Sequence, residues 1–340
     1  MVNIGRKTMK KLYLTLLFNL VFLFTAYSEP LSFREFSSTF KKAKDLFSQS
    51  QLNESIQLFD VLVTDSYAQI YPSVYSSRAV VLYYLGRYSE AKTDIDTCIS
   101  LQPYSLEPIL YRSLINSGLG DYEAALDDVN YCLNKNPDWA DAYQQRGLIH
   151  LNTKNYMEAL KDFNEAISKS TSITAANISN RGFALYYLGD LEKAKDDFLY
   201  SLTIKENDNV YLCLIDICYK LGQYDDGIKY ADTLIKKGSR TEDAIIDRAY
   251  IYLVQGYYDY VKSDLDSIEN ACENLNTFHK LKGIYFILTG DKVFAKEEID
   301  MAYKLNPNDS DILILQKLLT QKKVDVQEIL KLRKEDTFIF

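Results

Sequence analysis

Small and apolar residues return along this chain at helical spacing, in pairs of runs separated by a short polar turn. Small side chains stand at Ala43, Ala79, Ser113, Gly147, Gly182, Ala249 and Gly283, and a second set follows at Ser55, Ala91, Ala125, Ala159, Ala194, Gly227 and Ala295. Four positions beyond the second set come bulky residues: Phe59, Ile95, Val129, Phe163, Phe198, Leu265 and Ile299. The pattern predicts two antiparallel helices that touch where small side chains let the backbones approach, toward the short end of the ~8–10 Å range. The bulky residues fill the space beside that contact. Between the two runs sits Gly-x-Tyr, as in Gly86-Arg87-Tyr88, Gly120-Asp121-Tyr122, Gly222-Gln223-Tyr224 and Gly256-Tyr257-Tyr258. Glycine suits a left-handed residue ending a helix. Pro103, Pro137 and Pro307 fall where the second helix must stop.

Aligned on the turn, the copies stand at Ser50, Gly86, Gly120, Lys154, Gly189, Gly222, Gly256 and Gly290, in steps of 36, 34, 34, 35, 33, 34 and 34 residues. A fixed period in this range means one supersecondary unit stacked on copies of itself.

This arrangement of small residues, tyrosine, alanine and proline resembles the tetratricopeptide-repeat (TPR) family from about residue 33 to 308. The resemblance implies an all-α, right-handed superhelical solenoid of about eight helix pairs whose first helices line a concave groove for partners. The repeats fall near 36–70, 72–105, 106–139, 140–174, 175–207, 208–241, 242–275 and 276–308. A capping helix is expected over 309–320, apolar at Ile312, Leu313, Leu315, Leu318 and Leu319, because an open solenoid end must be covered. A second helix near 324–333 and the tail Phe338-Ile339-Phe340 follow. Two repeats depart from the pattern. The sixth has Ile215 and Gly227 where a small residue and alanine are usual, and the first lacks both turn glycine and tyrosine. Altered packing is expected in both.

Arg78, Arg112, Arg146, Arg181 and Arg248 precede the small residue of the first helix, and sixteen residues later stand Asp94, Asp128, Asp162, Asp197 and Asp264. Where the base becomes Lys282 the acid becomes Glu298, and where it becomes Leu214 the acid becomes Tyr230. Lys42 with Leu58 breaks the rule. Co-variation among copies predicts a structural ion pair inside each repeat. A rival register joins each aspartate to the arginine of the next repeat, but it strands Asp197 opposite Leu214.

Arg6, Lys7, Lys10 and Lys11 precede an apolar stretch over 12–27 that ends Ala26-Tyr27-Ser28. This is the pattern of a secretory signal peptide over 1–28, with Met9 as a second candidate start. The apolar core is short of the ~20 residues that span a bilayer as a helix. The expectation is an exported chain, periplasmic or extracellular, with an uncleaved inner-membrane anchor as the alternative. Without those four basic residues the 39 Lys and Arg fall to 35 against 47 Asp and Glu, moving the net charge from −8 to −12. An acidic chain without a basic stripe does not suit nucleic acid, and no membrane contact beyond the signal is expected. The charge suits a neutral or basic protein or peptide partner.

Candidate chemistry changes little. Cys98, Cys132, Cys213, Cys218 and Cys272 have no disulfide spacing and read as small buried hydrophobes. His150 and His279 belong to no ligand cluster, so no metal, cofactor or catalytic residue is expected. Gly118-Leu119-Gly120 lies between helices, not after a strand, and is a turn. Mapping the family's groove positions gives, among others, Tyr83 in the second repeat, Gln144 beside Asp141 in the fourth, and Asn180, Phe183 and Tyr186 in the fifth. Asp216 and Tyr219 follow in the sixth, with Asp247 and Tyr250 in the seventh. The Lys/Asn/Asn/Lys/Arg set by which some family members hold a C-terminal carboxylate is missing. The expected function is a non-enzymatic interaction scaffold of the envelope or secretory space. The alternative is a regulatory solenoid sensing a small ligand.

Overall fold

A computed structural model describes residues 30–320. The signal-like segment 1–28, the helix expected near 324–333 and the tail 338–340 lie outside the described residues. The described residues form 18 α-helices and no strand, and contacts divide the chain into two compact units, Met1–Asn155 and Tyr156–Phe340.

The first unit contains α1 (Phe33–Ser48), α2 (Leu52–Leu62), α3 (Tyr67–Ile70), α4 (Ser73–Tyr84), α5 (Tyr88–Leu101), α6 (Leu106–Gly118), α7 (Tyr122–Lys135) and α8 (Ala140–Asn152). Helices α1 and α2, α4 and α5, and α6 and α7 pack as pairs; α4, α6 and α8 also touch in sequence, forming a face of first helices. The second unit contains α9 (Tyr156–Lys169), α10 (Ala175–Tyr187), α11 (Leu191–Ile204), α12 (Asp208–Lys220), α13 (Tyr224–Lys237), α14 (Thr241–Val254), α15 (Tyr258–Cys272), α16 (Asn276–Thr289), α17 (Lys292–Leu305) and α18 (Ser310–Leu319). Here α10 pairs with α11, α12 with α13, α14 with α15 and α16 with α17, while α18 lies on α16 and α17.

All eight aligned turn positions are left-handed, the glycines at φ 71–90° and both Ser50 and Lys154 at 61°. The first repeat therefore makes the turn without glycine. Its longer step has a separate cause: the one-turn helix α3 is inserted after α2, a feature the apolar pattern does not announce.

Small residues face each other as spacing requires. Ser55 Oγ donates to the Ala43 carbonyl at 2.8 Å, a Cβ on Gly182 would lie 3.0 Å from the Phe198 ring, and one on Gly283 would lie 2.7 Å from Ile299. In the sixth repeat the volumes are exchanged. Ile215 is fully buried in α12, and the backbone of Gly227 in α13 fits against it; an added Cβ would lie 3.6 Å from the Ile215 carbonyl and 2.8 Å from Ile251. The two departures compensate one another. Beside these contacts Phe59, Ile95, Val129, Phe163, Phe198, Leu265 and Ile299 are all buried, and so are the five cysteines, none of them in a disulfide.

Helix starts follow local chemistry. Ser32 and Glu35 form a capping box at α1 and Thr174 and Asn177 one at α10, each satisfying two free backbone N–H groups. No helix of the described residues is long and apolar enough to cross a membrane.

Candidate functional site

The arginines are structural first. Arg78, Arg112, Arg181 and Arg248 each grip the aspartate sixteen residues on through Nε and Nη2, with Arg78 to Asp94 at 2.6 and 2.7 Å and Arg181 to Asp197 at 2.8 and 2.7 Å. Arg112 meets Asp128 at 2.9 and 2.6 Å and Arg248 meets Asp264 at 3.1 and 2.6 Å. Bidentate, charge-assisted pairs of this kind are the strong hydrogen bonds of proteins. The hydrogen bonds that Asp128 and Asp197 accept, opposed by burial, hold the Arg112 and Arg181 guanidinium groups above their usual range. Lys282 meets Glu298 at 2.8 Å, and where base and acid are both lost, Leu214 is buried in a cluster that includes Tyr230.

The third guanidinium nitrogen does something the sequence reading does not foresee. Nη1 reaches back to the preceding repeat: Arg78 to Asp60 at 3.0 Å, Arg112 to Asp96 at 3.3 Å, Arg146 to Asn130 at 2.9 Å and Arg181 to Asn164 at 3.3 Å. Arg248 reaches Asp232 in the same way. The acceptors sit two residues beyond the acidic column, and where the arginine is replaced by Leu214 the corresponding residue is Leu199. That matching loss was the available signal. Arg78, Arg112, Arg181 and Arg248 thus each close their own repeat and staple it to the one before, and Arg146 makes the same backward bond.

The groove residues named from sequence lie at different depths. Tyr83 is half-buried, with ring centroids 5.5 Å from Tyr84 and 5.3 Å from Tyr88. Gln144, Asn180, Phe183, Tyr219 and Asp247 are also half-buried; Phe183 packs edge-on against Phe198 at 5.0 Å, and Tyr219 lies 6.2 Å from Tyr224. Tyr186, Asp216 and Tyr250 are only 6%, 2% and 3% exposed, which corrects their reading as partner-contacting side chains. Tyr186 donates to Asp216 at 2.6 Å, and Lys220 joins them, 2.9 Å from the Asp216 carboxylate and 4.5 Å from the Tyr186 ring centroid. This network is internal support: the carboxylate is held by two donors, and the lysine ammonium lies over the Tyr186 ring.

Open space is found in the first unit. A cavity of about 470 Å³ between α6 and α8 is lined by Glu107, Leu110, Tyr111 and Leu114 from α6, Trp139 at the start of α8, and Asp141 and Gln145 from α8. The sequence mapping passes over the third repeat, which supplies four of these residues, and takes Gln144 where its neighbour Gln145 lines the space. Glu107 and Asp141 sit in the first turns of their helices, where the positive end of the helix dipole favours carboxylate. Tyr111 Oη donates to Glu107 at 3.1 Å. Burial, with help from the Glu107 and Asp141 charges, pushes its phenol up to about 12, so the donor stays protonated at neutral pH. Among the described residues no group of His, Cys, Asp and Glu could hold a metal ion.

A second region is ionic. His279 Nδ1 lies 2.6 Å from Glu298 and Nε2 lies 2.8 Å from the Glu273 carbonyl. Lys280, 3% exposed, lies 3.3 Å from Asp309 and 3.0 Å from Asp311. The Lys280 contacts fasten α18 to α16, and His279 ties α16 to α17.

The tetratricopeptide-repeat family model matches residues 72–105 and 140–168. No curated protein sequence matches the chain significantly. Among solved structures, the APC/C hetero-tetramer Cut9–Hcn1 is similar over 86% of this chain and 57% of its own, at 14% identity and a TM-score of 0.61. The Pseudomonas aeruginosa pilF structure is similar over 59% of this chain and 91% of its own, at 18% identity and a TM-score of 0.52. A Parabacteroides merdae tetratricopeptide-repeat protein is similar over 84% and 99%, at 17% identity and a TM-score of 0.49.

Proposed function

Since the chain is built of tetratricopeptide repeats, we propose that it is a non-enzymatic, exported scaffold that holds a protein segment on its first-helix face. The observation that carries this reading is the cavity between α6 and α8, open space lined by aromatic, acidic and amide side chains. Aromatic residues in a recess provide large contact area at little entropic cost, and flanking carboxylates select against acidic partners. Cut9–Hcn1 is a hetero-tetramer of several chains, an example of this fold working in an assembly; at 14% identity it lends no partner to this chain. The basic start, short apolar run and Ala26-Tyr27-Ser28 support export, and a cell-envelope or secretory assembly is the setting that follows. A recess of this volume also falls in the ~300–1,000 Å³ range of small-ligand sites, so a ligand-sensing solenoid is the second reading.

The test is in-cell crosslinking of the full-length protein, followed by recovery from envelope and medium and N-terminal sequencing. The scaffold reading expects a mature chain beginning at Glu29 and a crosslinked protein partner that is lost in a folded Leu110→Ser/Leu114→Ser variant. A chain found in the cytoplasm with its leader intact overturns export. Thermal stabilisation by a metabolite, with no protein crosslink, replaces the scaffold by the ligand sensor.

A further inference from the structure

We infer that the α6/α8 cavity is a subsite for one basic side chain, lysine or arginine, of the bound segment; this deepens the scaffold reading and rests on it. Its lining divides into two chemistries. Leu110, Leu114, Tyr111 and Trp139 supply hydrocarbon and two aromatic rings, while Glu107 and Asp141 supply carboxylates. A long aliphatic stem ending in a cation matches both, since such side chains bury their stems and present only the head to charge, and cations are drawn to tryptophan and tyrosine faces.

The carboxylates alone would not make the case, because acidic residues on a helix face are usually just solvated. The second observation is Gln145. Its residue is 8% exposed and lines the same cavity, and its side-chain amide makes no hydrogen bond among the described residues. A side chain enclosed to this degree with no internal partner keeps its amide for a group that enters the recess. Glu107 is already held by Tyr111 Oη, which fixes one carboxylate at the rim. Asp141 has no side-chain partner among the described residues. Two carboxylates and an amide around one recess form an acceptor set with a single internal donor, Tyr111 Oη, and a guanidinium or ammonium group is an all-donor head.

Trp139 is the chain's single tryptophan, so its emission reports this recess alone. The experiment titrates the full-length mature protein with short alanine peptides, blocked at both ends, carrying arginine, lysine, norleucine or glutamate at the centre. Arginine and lysine peptides are expected to change Trp139 emission saturably, with affinity falling as salt is raised. Glu107→Gln/Asp141→Asn, checked for unchanged fold by circular dichroism, is expected to lose about tenfold or more in affinity. Equal binding of the norleucine peptide overturns the inference in favour of an apolar pocket, and silence with every peptide at millimolar concentration overturns it outright. If the peptides are silent while the protein partner still crosslinks, the subsite falls and the scaffold stands. If arginine binds but no partner is recovered, the scaffold falls instead.

Discussion

At the scale of single residues, the turns separate two uses of the same backbone. Gly120 sits at φ 80° with open space around its Cα, so its requirement is conformational alone. Lys154 holds the same conformation at φ 61° with a side chain, against a cost of roughly 1–2 kcal/mol for a left-handed non-glycine residue. Lys154→Gly is therefore expected to raise stability by roughly 0.5–1 kcal/mol once glycine's larger unfolded-state entropy is subtracted. Gly120→Ala should lower it by roughly 1–2 kcal/mol. Urea denaturation of both variants checks the pair, and a destabilised Lys154→Gly would contradict the account. The need for a left-handed residue was legible from the recurrence of glycine at six of the eight turn positions. That Ser50 and Lys154 would meet it without glycine was legible only from their place in the alignment, since neither residue type signals it.

Between elements, the arginine is the unit of cohesion. Arg112 joins α6 to Asp128 on α7 and to Asp96 on α5. Removing it leaves the Asp128 carboxylate, largely buried, with only the Asn116 amide at 3.1 Å. Arg112→Ala is expected to cost about 3 kcal/mol, the low end for a broken buried pair because its guanidinium stays partly open to water. Arg87→Ala, which breaks the exposed pair with Glu90, should cost no more than about 0.5 kcal/mol. Equal losses in thermal or urea unfolding would sink the distinction. The within-repeat partner was readable because base and acid vanish together. The backward partner was harder to see, because Asp60, Asp96 and Asp232 alternate with Asn130 and Asn164, and a mixed column of acids and amides hides among exposed polar residues. Depth was not readable at all: Tyr186 and Asp216 occupy groove positions in the repeat, yet the side chain of Lys220 one turn along closes over them.

For the whole molecule, a repeat array transmits disturbance only to its neighbours, and the His279 cluster offers a way to see this. The hydrogen bond to Glu298, opposed by burial and aided by the Glu273 carbonyl, raises the His279 imidazole above its ordinary value, while Lys282 opposes it weakly. Its folded-state value being raised, the stabilisation it brings is fully present below the unfolded value of about 6.5. It is lost as pH rises through the folded value. Hydrogen exchange in α16 and α17 is therefore expected to quicken as pH passes upward through that window, beyond the intrinsic pH effect. Protection in α1 and α2 should not change, and His279→Gln should abolish the difference. A protection loss spread evenly over both ends would argue against local coupling.

The backward reach of the arginines also bears on how such a chain can change in length. Each bond belongs to a joint between repeats, with its donor always supplied by the later one and its acceptor by the earlier. Excising or duplicating one whole repeat rebuilds the same joint from the new neighbours, leaving no charge without a counterpart. The joint at Leu199 and Leu214 is different, hydrocarbon on both sides and packed in one apolar cluster. A module ending or beginning there must bring leucine to meet leucine, so this joint is where the chain's growth by duplication carries a parting line.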